Sequence, residues 1–247
     1  MMQQLGFTRT NLQDDHALIT TDTFVRAPLP GFQNATCVVH IGPVLGAGFT
    51  MYTVEASNGG TFGPASIGSS RFVFVQDGEL SLKLSSKKYS LKPGGYAFIP
   101  PSTAHEIESR GASRAIVIEK PYRRLEGVKS PKPIVGDANK VASSALNGDE
   151  ALQVRMLLPD VPELDFAVNT MTYDPGASLA LVEVHIMEHG LVMLEGGGIY
   201  RLGNAWYPVT AGDVIYMAPY CPQWFGALGK TPSTYLIYKD WNRHPLE

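Results

Sequence analysis

Apolar residues in this chain gather in short runs rather than at helical spacing. Phe72-Val-Phe-Val75, Ala115-Ile-Val-Ile118, Val214-Ile-Tyr-Met217 and Tyr235-Leu-Ile-Tyr238 are rich in β-branched and aromatic side chains. The 25 glycines and 18 prolines sit between such runs. Short runs of this composition bounded by turn residues read as strands, and their number predicts an all-β sandwich or barrel. Helical periodicity is hard to find; the best candidate is a weak stretch from Asn139 to Leu146.

The pattern occurs twice. Gly78-Glu-Leu-Ser-Leu-Lys-Leu84, Gly94-Gly-Tyr-Ala-Phe-Ile-Pro-Pro101 and His105 resemble Gly196-Gly-Gly-Ile-Tyr-Arg-Leu202, Gly212-Asp-Val-Ile-Tyr-Met-Ala-Pro219 and Gln223, at a constant offset of 118 (78 to 196, 94 to 212, 105 to 223). Phe49-Thr-Met-Tyr-Thr-Val matches Phe166-Ala-Val-Asn-Thr-Met at 117, and Ile116–Lys120 matches Tyr235–Lys239 at 119. A repeat of this length means a duplicated β-domain. The expected layout is an N-terminal extension over 1–44, a first domain over 45–120, a linker over 121–150 and a second domain over 151–247. Lys129-Ser-Pro-Lys-Pro133 and Asn147-Gly-Asp-Glu150 give the linker its turn character.

Candidate chemistry concentrates in Leu181-Val-Glu-Val-His-Ile-Met-Glu-His-Gly190. On a strand, Glu183 and His185 share a face. His189 follows, and Gln223 arrives from the Pro-containing turn of the same copy. Glu183, His185, His189 and Gln223 are therefore the candidate metal ligands. At the same positions the first copy carries Ala65, Ile67, Arg71 and His105. Ala and Ile offer no donor and Arg is a permanent cation, so the first copy is expected to be scaffold and His105 structural. A donor set of imidazole, carboxylate and amide without thiolate suits Mn2+ or another borderline-to-hard divalent ion better than a closed structural zinc site. One carboxylate leaves such a centre about +1, which favours a small anionic substrate. Glu188, next to His189, should face the other way.

On the last strand Tyr235 and Lys239 share a face. An inward Lys near a metal suggests carboxylate binding or proton transfer. The repeat also aligns Lys120 with Lys239, so a strand-end feature common to both copies stands as the plainer reading. Tyr200 reads equally as pocket lining or core aromatic.

Composition narrows the class. A net charge of -3 with 17% charged residues among 247 argues against nucleic acid as a partner. Two cysteines, Cys37 and Cys221, make no disulfide framework. No apolar run reaches the ~18 residues of a membrane span, and the N-terminus lacks the basic and apolar regions of a signal peptide. The expectation is a soluble cytoplasmic protein.

Two resemblances follow from these residues. Gly94-x5-Pro100-x-Ser102-x2-His105 resembles the second motif of the cupin superfamily, with Ser102 where Gly is usual. Pro175-Gly176…Glu183-x-His185-x3-His189-x6-Gly196 resembles its first motif, with Glu183 in place of a histidine. The implied fold is an all-β bicupin of two tandem cupin β-barrels (double-stranded jelly-rolls). More closely, Glu183–Gly190, Gly196–Tyr200, Trp206-Tyr-Pro-Val209, Gln223, Tyr235–Arg243 and Leu29-Pro-Gly-Phe32 resemble the (S)-ureidoglycine aminohydrolase family. That resemblance implies Mn2+ held by Glu183, His185, His189 and Gln223, with Lys239 and Tyr235 catalytic and Tyr200, Tyr235 and Lys239 contacting substrate. It implies hydrolysis of (S)-ureidoglycine to (S)-ureidoglycolate and ammonia in allantoin (purine) catabolism, by a homo-oligomer. The alternatives are another metal-dependent cupin enzyme, a dioxygenase or isomerase on a small anion, or a non-catalytic small-molecule-binding bicupin.

Overall fold

The computed structural model describes residues 6–243. The chain divides into two compact units, each built around its own antiparallel sheet. No helix among the described residues is long and apolar enough to cross a membrane.

The first barrel comprises Val25–Ala142, with Met156–Ala167 and the described residues 241–243. Its nine-stranded sheet runs in the order Ile134–Asp137, Gly95–Ile99, Ser69–Asp77, Ser113–Pro121, Thr50–Thr61, His105–Ser109, Leu80–Leu84, Lys87–Leu91, and Gln33–Ile41 also pairs with Thr50–Thr61. Burial follows the sequence pattern. Leu80-Ser-Leu-Lys-Leu84 alternates between core and half-exposed, as a strand with one wet face should. Ser69 to Val75 is buried throughout, which accounts for the unbroken apolar run Phe72-Val-Phe-Val75. Val54, Val73, Val75, Leu80, Leu82, Ile107 and Val117 form the centre of the core.

The second barrel comprises the residues up to Phe24, Ser143–Arg155 and Val168–Asp240. Its eight-stranded sheet runs Asn11–Leu12, His16–Ile19, Val214–Met217, His189–Glu195, Ser233–Asp240, Phe166–Tyr173, Asp149–Met156, Ser144–Leu146. A three-stranded sheet, Ala205–Thr210, Gly197–Leu202, Gln223–Ala227, completes it.

The repeated glycines are backbone requirements. Gly78 and Gly196 both have positive φ, 76° and 67°. A Cβ on Gly78 would fall on the carbonyl oxygen of Ala112, and one on Gly196 would lie 2.6 Å from that of Pro232. Only glycine fits where the chain turns so close to another strand.

Three expectations about segments differ from the structure. The 121–150 stretch is shared out rather than left as a linker: Ile134–Asp137 pairs with Gly95–Ile99 in the first barrel, and Ser144–Leu146 pairs with Asp149–Met156 in the second. The 1–44 extension also splits. His16–Ile19 pairs with Val214–Met217, whereas Gln33–Ile41 belongs to the first barrel. Each barrel thus closes one edge with a short strand supplied from outside its repeat, which removes unpaired backbone groups. The weak helical stretch at Asn139–Leu146 reduces to one 3-10 turn, Ala138–Lys140, capped by Asp137, followed by the strand.

His40 adds a pH dependence. It is 6% exposed, bonds Thr53 through Nε2 at 2.8 Å, and burial pulls its pKa down to about 4. The folded protein keeps it neutral while the unfolded chain takes up a proton below the ordinary value near 6.5. Stability is therefore complete above that value and is lost as pH falls toward 4. At pH 5 the loss is about 2 kcal/mol. Urea unfolding of His40→Gln and the parent at pH 7.5 and pH 5 should show the difference between them moving toward the variant by about that amount. A difference that stays constant with pH would remove His40 as a cause.

Candidate metal centre

The candidate ligands do not lie on one strand. Residues 174–188 are irregular apart from two isolated bridges, Ser178↔Gly226 and Glu183↔Gln223, and the strand begins only at His189. Five steps on one side (178 to 183) face three on the other (226 to 223), so two extra residues must loop out of the ladder. Ala180 and Leu181 are exposed within that loop, and Val184 just after it, with Leu181 at 63% and Val184 at 56%. The expectation that strand alternation places Glu183 and His185 on one face is therefore corrected.

What holds the loop is backbone bonding. Glu183 N–H donates to Gln223 O at 2.8 Å and Gln223 N–H to Glu183 O at 2.9 Å, which sets the two residues opposite each other. Tyr220 N–H donates to His185 O at 2.7 Å. With these ties His185 Nε2 comes to 3.2 Å from His189 Nε2 and 2.6 Å from Gln223 Nε2. The carboxylate of Glu183 does not complete a set within 4.8 Å with the two imidazoles; among the described residues that spacing is met by Asp15, His16 and Cys221. Rotation about its own side-chain bonds is the movement left to bring Glu183 in.

The donor set fits a divalent cation. Burial lowers the pKa of His185, against the raising effect of Glu183, and holds that of the fully enclosed His189 well below its usual value, with His185 and Lys239 adding to the depression. Both shifts favour the neutral ring; the two Nε2 atoms lie 3.2 Å apart, and the end of the Gln223 amide lies 2.6 Å from that of His185. A neutral imidazole keeps one ring nitrogen able to coordinate, and the Gln223 amide adds an oxygen donor. With protonation disfavoured by burial, the arrangement suits a metal ion.

Lys239 joins the same interior. Its strand pairs with that of His189 in the register His189↔Lys239. Burial lowers its pKa and Glu183 raises it. With the Asn169 amide turned so that Nδ2 donates to Val168 O at 3.0 Å, its Oδ1 accepts from Lys239 Nζ at 3.2 Å. Asn169 was not singled out by the sequence, although its alignment with Tyr52 put it on the matching strand. Tyr235 and Tyr200 are each 1% exposed and belong to the packed core. Tyr235 Oη lies 2.7 Å from Tyr173 Oη, a partner also missed, and burial raises the pKa of all three phenols. They remain protonated hydrogen-bond donors. Glu188 faces away from His189, with Tyr238 donating to its carboxylate at 3.5 Å.

The first barrel shows what replaces the centre. Arg71, 1% exposed, pairs with Glu119 in the register Arg71↔Glu119, where the second barrel has His189↔Lys239. Glu119, not Lys120, is therefore the counterpart of Lys239, and the shared strand-end reading falls. Lys120 instead donates to Asp165, at 2.8 Å to the carbonyl and 3.0 Å to the carboxylate. The Arg71 guanidinium bonds Glu119 Oε1 at 2.8 and 2.6 Å, Gly63 O at 2.8 Å and His105 Nε2 at 3.2 Å. His105 donates through Nδ1 to Thr103 O at 2.8 Å, which leaves Nε2 to accept from Arg71. Tyr52 donates to Glu119 at 2.9 Å, as Asn169 accepts from Lys239. A side-chain cation stands where the second barrel gathers its candidate ligands.

The Asp15, His16 and Cys221 group is satisfied without a ligand. His16 bonds Asp15 through Nδ1 at 2.7 Å and Tyr207 Oη through Nε2 at 2.9 Å, and burial pushes the Cys221 thiol up to about 11. It fastens the His16–Ile19 strand to the barrel.

The cupin-domain profile matches residues 54–119 and 169–238. The fold and the paired motifs thus define a bicupin. An (S)-ureidoglycine aminohydrolase of Arabidopsis thaliana is 42% identical over 242 residues, 98% of this chain and 80% of that one. The enzyme of that name from Escherichia coli K12 is 31% identical over 232 residues, 92% and 88% of the two chains. The chain belongs to the (S)-ureidoglycine aminohydrolase family. A crystal structure of a putative glyoxylate induced protein from Pseudomonas aeruginosa superposes with a TM-score of 0.89 at 30% identity, covering 96% of this chain and 92% of that one. Oxalate decarboxylase of Bacillus subtilis shares the fold at a TM-score of 0.73 and 10% identity, covering 96% of this chain and 79% of that one.

Proposed function

We propose that this chain hydrolyses (S)-ureidoglycine to (S)-ureidoglycolate and ammonia, with Mn2+ held by Glu183, His185, His189 and Gln223 of the second barrel. The observation that carries the reading is the meeting of two imidazoles and an amide beside a half-buried lysine, in a chain of this family. A bound divalent ion would supply Lewis acidity and an anchor for the substrate's carboxylate. The chain's own residues supply the rest. Lys239, aimed by Asn169, holds the proton that the departing nitrogen needs when the C–N bond breaks and its electron pair goes to nitrogen. Water adds hydroxyl to the same carbon and returns a proton to Lys239, so the balance closes. Burial lowers the Lys239 pKa, which brings proton transfer closer to neutral pH. Tyr235 and Tyr200, kept protonated, offer donors to the substrate's oxygens. The single carboxylate leaves the centre net positive, the sign an anionic substrate requires. Its place is the cytoplasm, in a homo-oligomer, with no nucleic-acid or membrane partner.

The test is ammonia release from freshly generated ureidoglycine, before and after chelation and on return of Mn2+. Chelation should abolish release above the uncatalysed background, and Mn2+ should restore it. No release from protein shown by elemental analysis to be Mn-loaded would overturn the proposal. Oxygen consumption or iron dependence would point to the oxygenase chemistry instead.

A further inference from the structure

The turn that delivers Gln223 contains an unusual residue. Cys221 N–H donates to Ala218 O at 3.1 Å, and Pro219 and Tyr220 occupy the two central positions. Tyr220 has φ of 65°. A proline followed by a residue at positive φ is the type II turn, which favours Gly or Asn at the second central position. The first barrel makes the same turn, with Thr103 N–H on Pro100 O at 3.3 Å and Ser102 at φ 60°. The other non-glycine residues at positive φ among those described are three Asn and two Ser, Ser102 included. Short polar side chains tolerate that conformation and a bulky aromatic does not.

Nothing in the packing compensates. The Tyr220 side chain is 58% exposed and stands outside the barrel's core cluster. Its link to the site, N–H to His185 O, is a backbone bond that glycine would make equally well. The ring is thus carried at a position that disfavours it, on the segment tied to one ligand and three residues before another. Leu181 and Val184, both exposed, flank the candidate ligand Glu183 on the segment that the Tyr220 N–H joins at His185. Strain that persists beside a site without a structural return points to a role in that site.

We propose that Tyr220 determines specificity: its ring forms a wall at the mouth of the second barrel against which a planar ureido group lies. This rests on the proposed ureidoglycine reaction. A ureido group is flat and delocalised, and an aromatic face receives such a group by stacking while the metal-side donors take the carboxylate end.

The experiment compares the parent, Tyr220→Asn and Tyr220→Phe as Mn-loaded protein, with ammonia-release kinetics, calorimetric binding of (S)-ureidoglycolate and thermal unfolding. Asn should unfold at the parent temperature or above it, because it accepts the turn. It should lose about tenfold in kcat/KM, chiefly through KM, and a similar factor in product affinity. Phe should stay within about threefold on both counts, since it keeps the ring. Parent-like kinetics and product affinity in Tyr220→Asn overturn the proposal while leaving the reaction standing. A clear fall in its unfolding temperature with loss of Mn2+ also overturns it, by making the ring structural. A parent protein that releases no ammonia overturns the reaction itself, whatever the variants do.

Discussion

Replacing Lys239 by methionine should lower kcat by about a thousandfold while the protein keeps its fold and its metal. Lys239 is half-buried beside the candidate ligands, paired across strands with His189 and held by Asn169. Methionine matches its length and removes a half-buried charge, so no cavity and no unpaired ion results. What disappears is the proton source for the departing amine, an effect of about 10² to 10⁴ for a positioned acid. Asn169→Ala separates holding from acting. The lysine remains but loses its fixed direction, and kcat should fall by about ten- to a hundredfold with KM less affected. Gln223→Ala should instead lose metal, because the amide lies 2.6 Å from His185, whose Nε2 is 3.2 Å from that of His189. Ammonia-release kinetics, metal content and unfolding temperature on the three variants distinguish these outcomes. A Lys239→Met enzyme within threefold of the parent kcat would falsify the proton-donor role.

Much of the fold was legible because it repeats. The glycines at 78 and 196 recur where a Cβ would strike the carbonyl just before a strand, and the four apolar runs all lie within strands. The candidate ligand stretch was read in residue type, and its geometry differs from the strand that reading assumed. Glu183-Val-His185 mimics strand alternation, whereas the chain there leaves the ladder because two residues must loop out. Nothing local distinguishes a strand from a bulged loop when the apolar residues at 181 and 184 are exposed rather than buried. The last strand shows a second limit. Matching Ile116–Lys120 with Tyr235–Lys239 looks natural by residue type and is off by one, since the offset is 118 at His189 (71 to 189) and 120 at Lys239 (119 to 239). A slip of one residue exchanges the two faces of a strand. It hid the correspondence between Lys239 and Glu119, and with it the buried pairs Tyr52–Glu119 and Asn169–Lys239.

That correspondence gives the second large effect. Arg71→Met should destabilise the protein by about 3–5 kcal/mol at neutral pH, the range for removing one partner of a buried ion pair. Burial by itself pushes the Glu119 pKa up, but Arg71 and the hydroxyl and N–H of Ser66 outweigh it and hold the net value below normal. In the parent, therefore, this carboxylate favours folding above its unfolded pKa, and the contribution is lost as pH falls. Without Arg71 burial is less opposed and the folded pKa rises above the unfolded one. The penalty is then largest at neutral pH and shrinks as acid protonates Glu119. The gap between parent and variant should narrow from pH 7 to pH 5 in urea unfolding. The double variant Arg71→Met with Glu119→Met should recover much of the loss, since two apolar side chains leave no stranded charge. An unchanged midpoint for the single variant would show that the guanidinium is dispensable. The expected result instead makes Arg71 the first barrel's permanent cation: a charge fixed by covalent structure, needing neither ligands nor metal, and for that reason unable to bind substrate as an open metal site would.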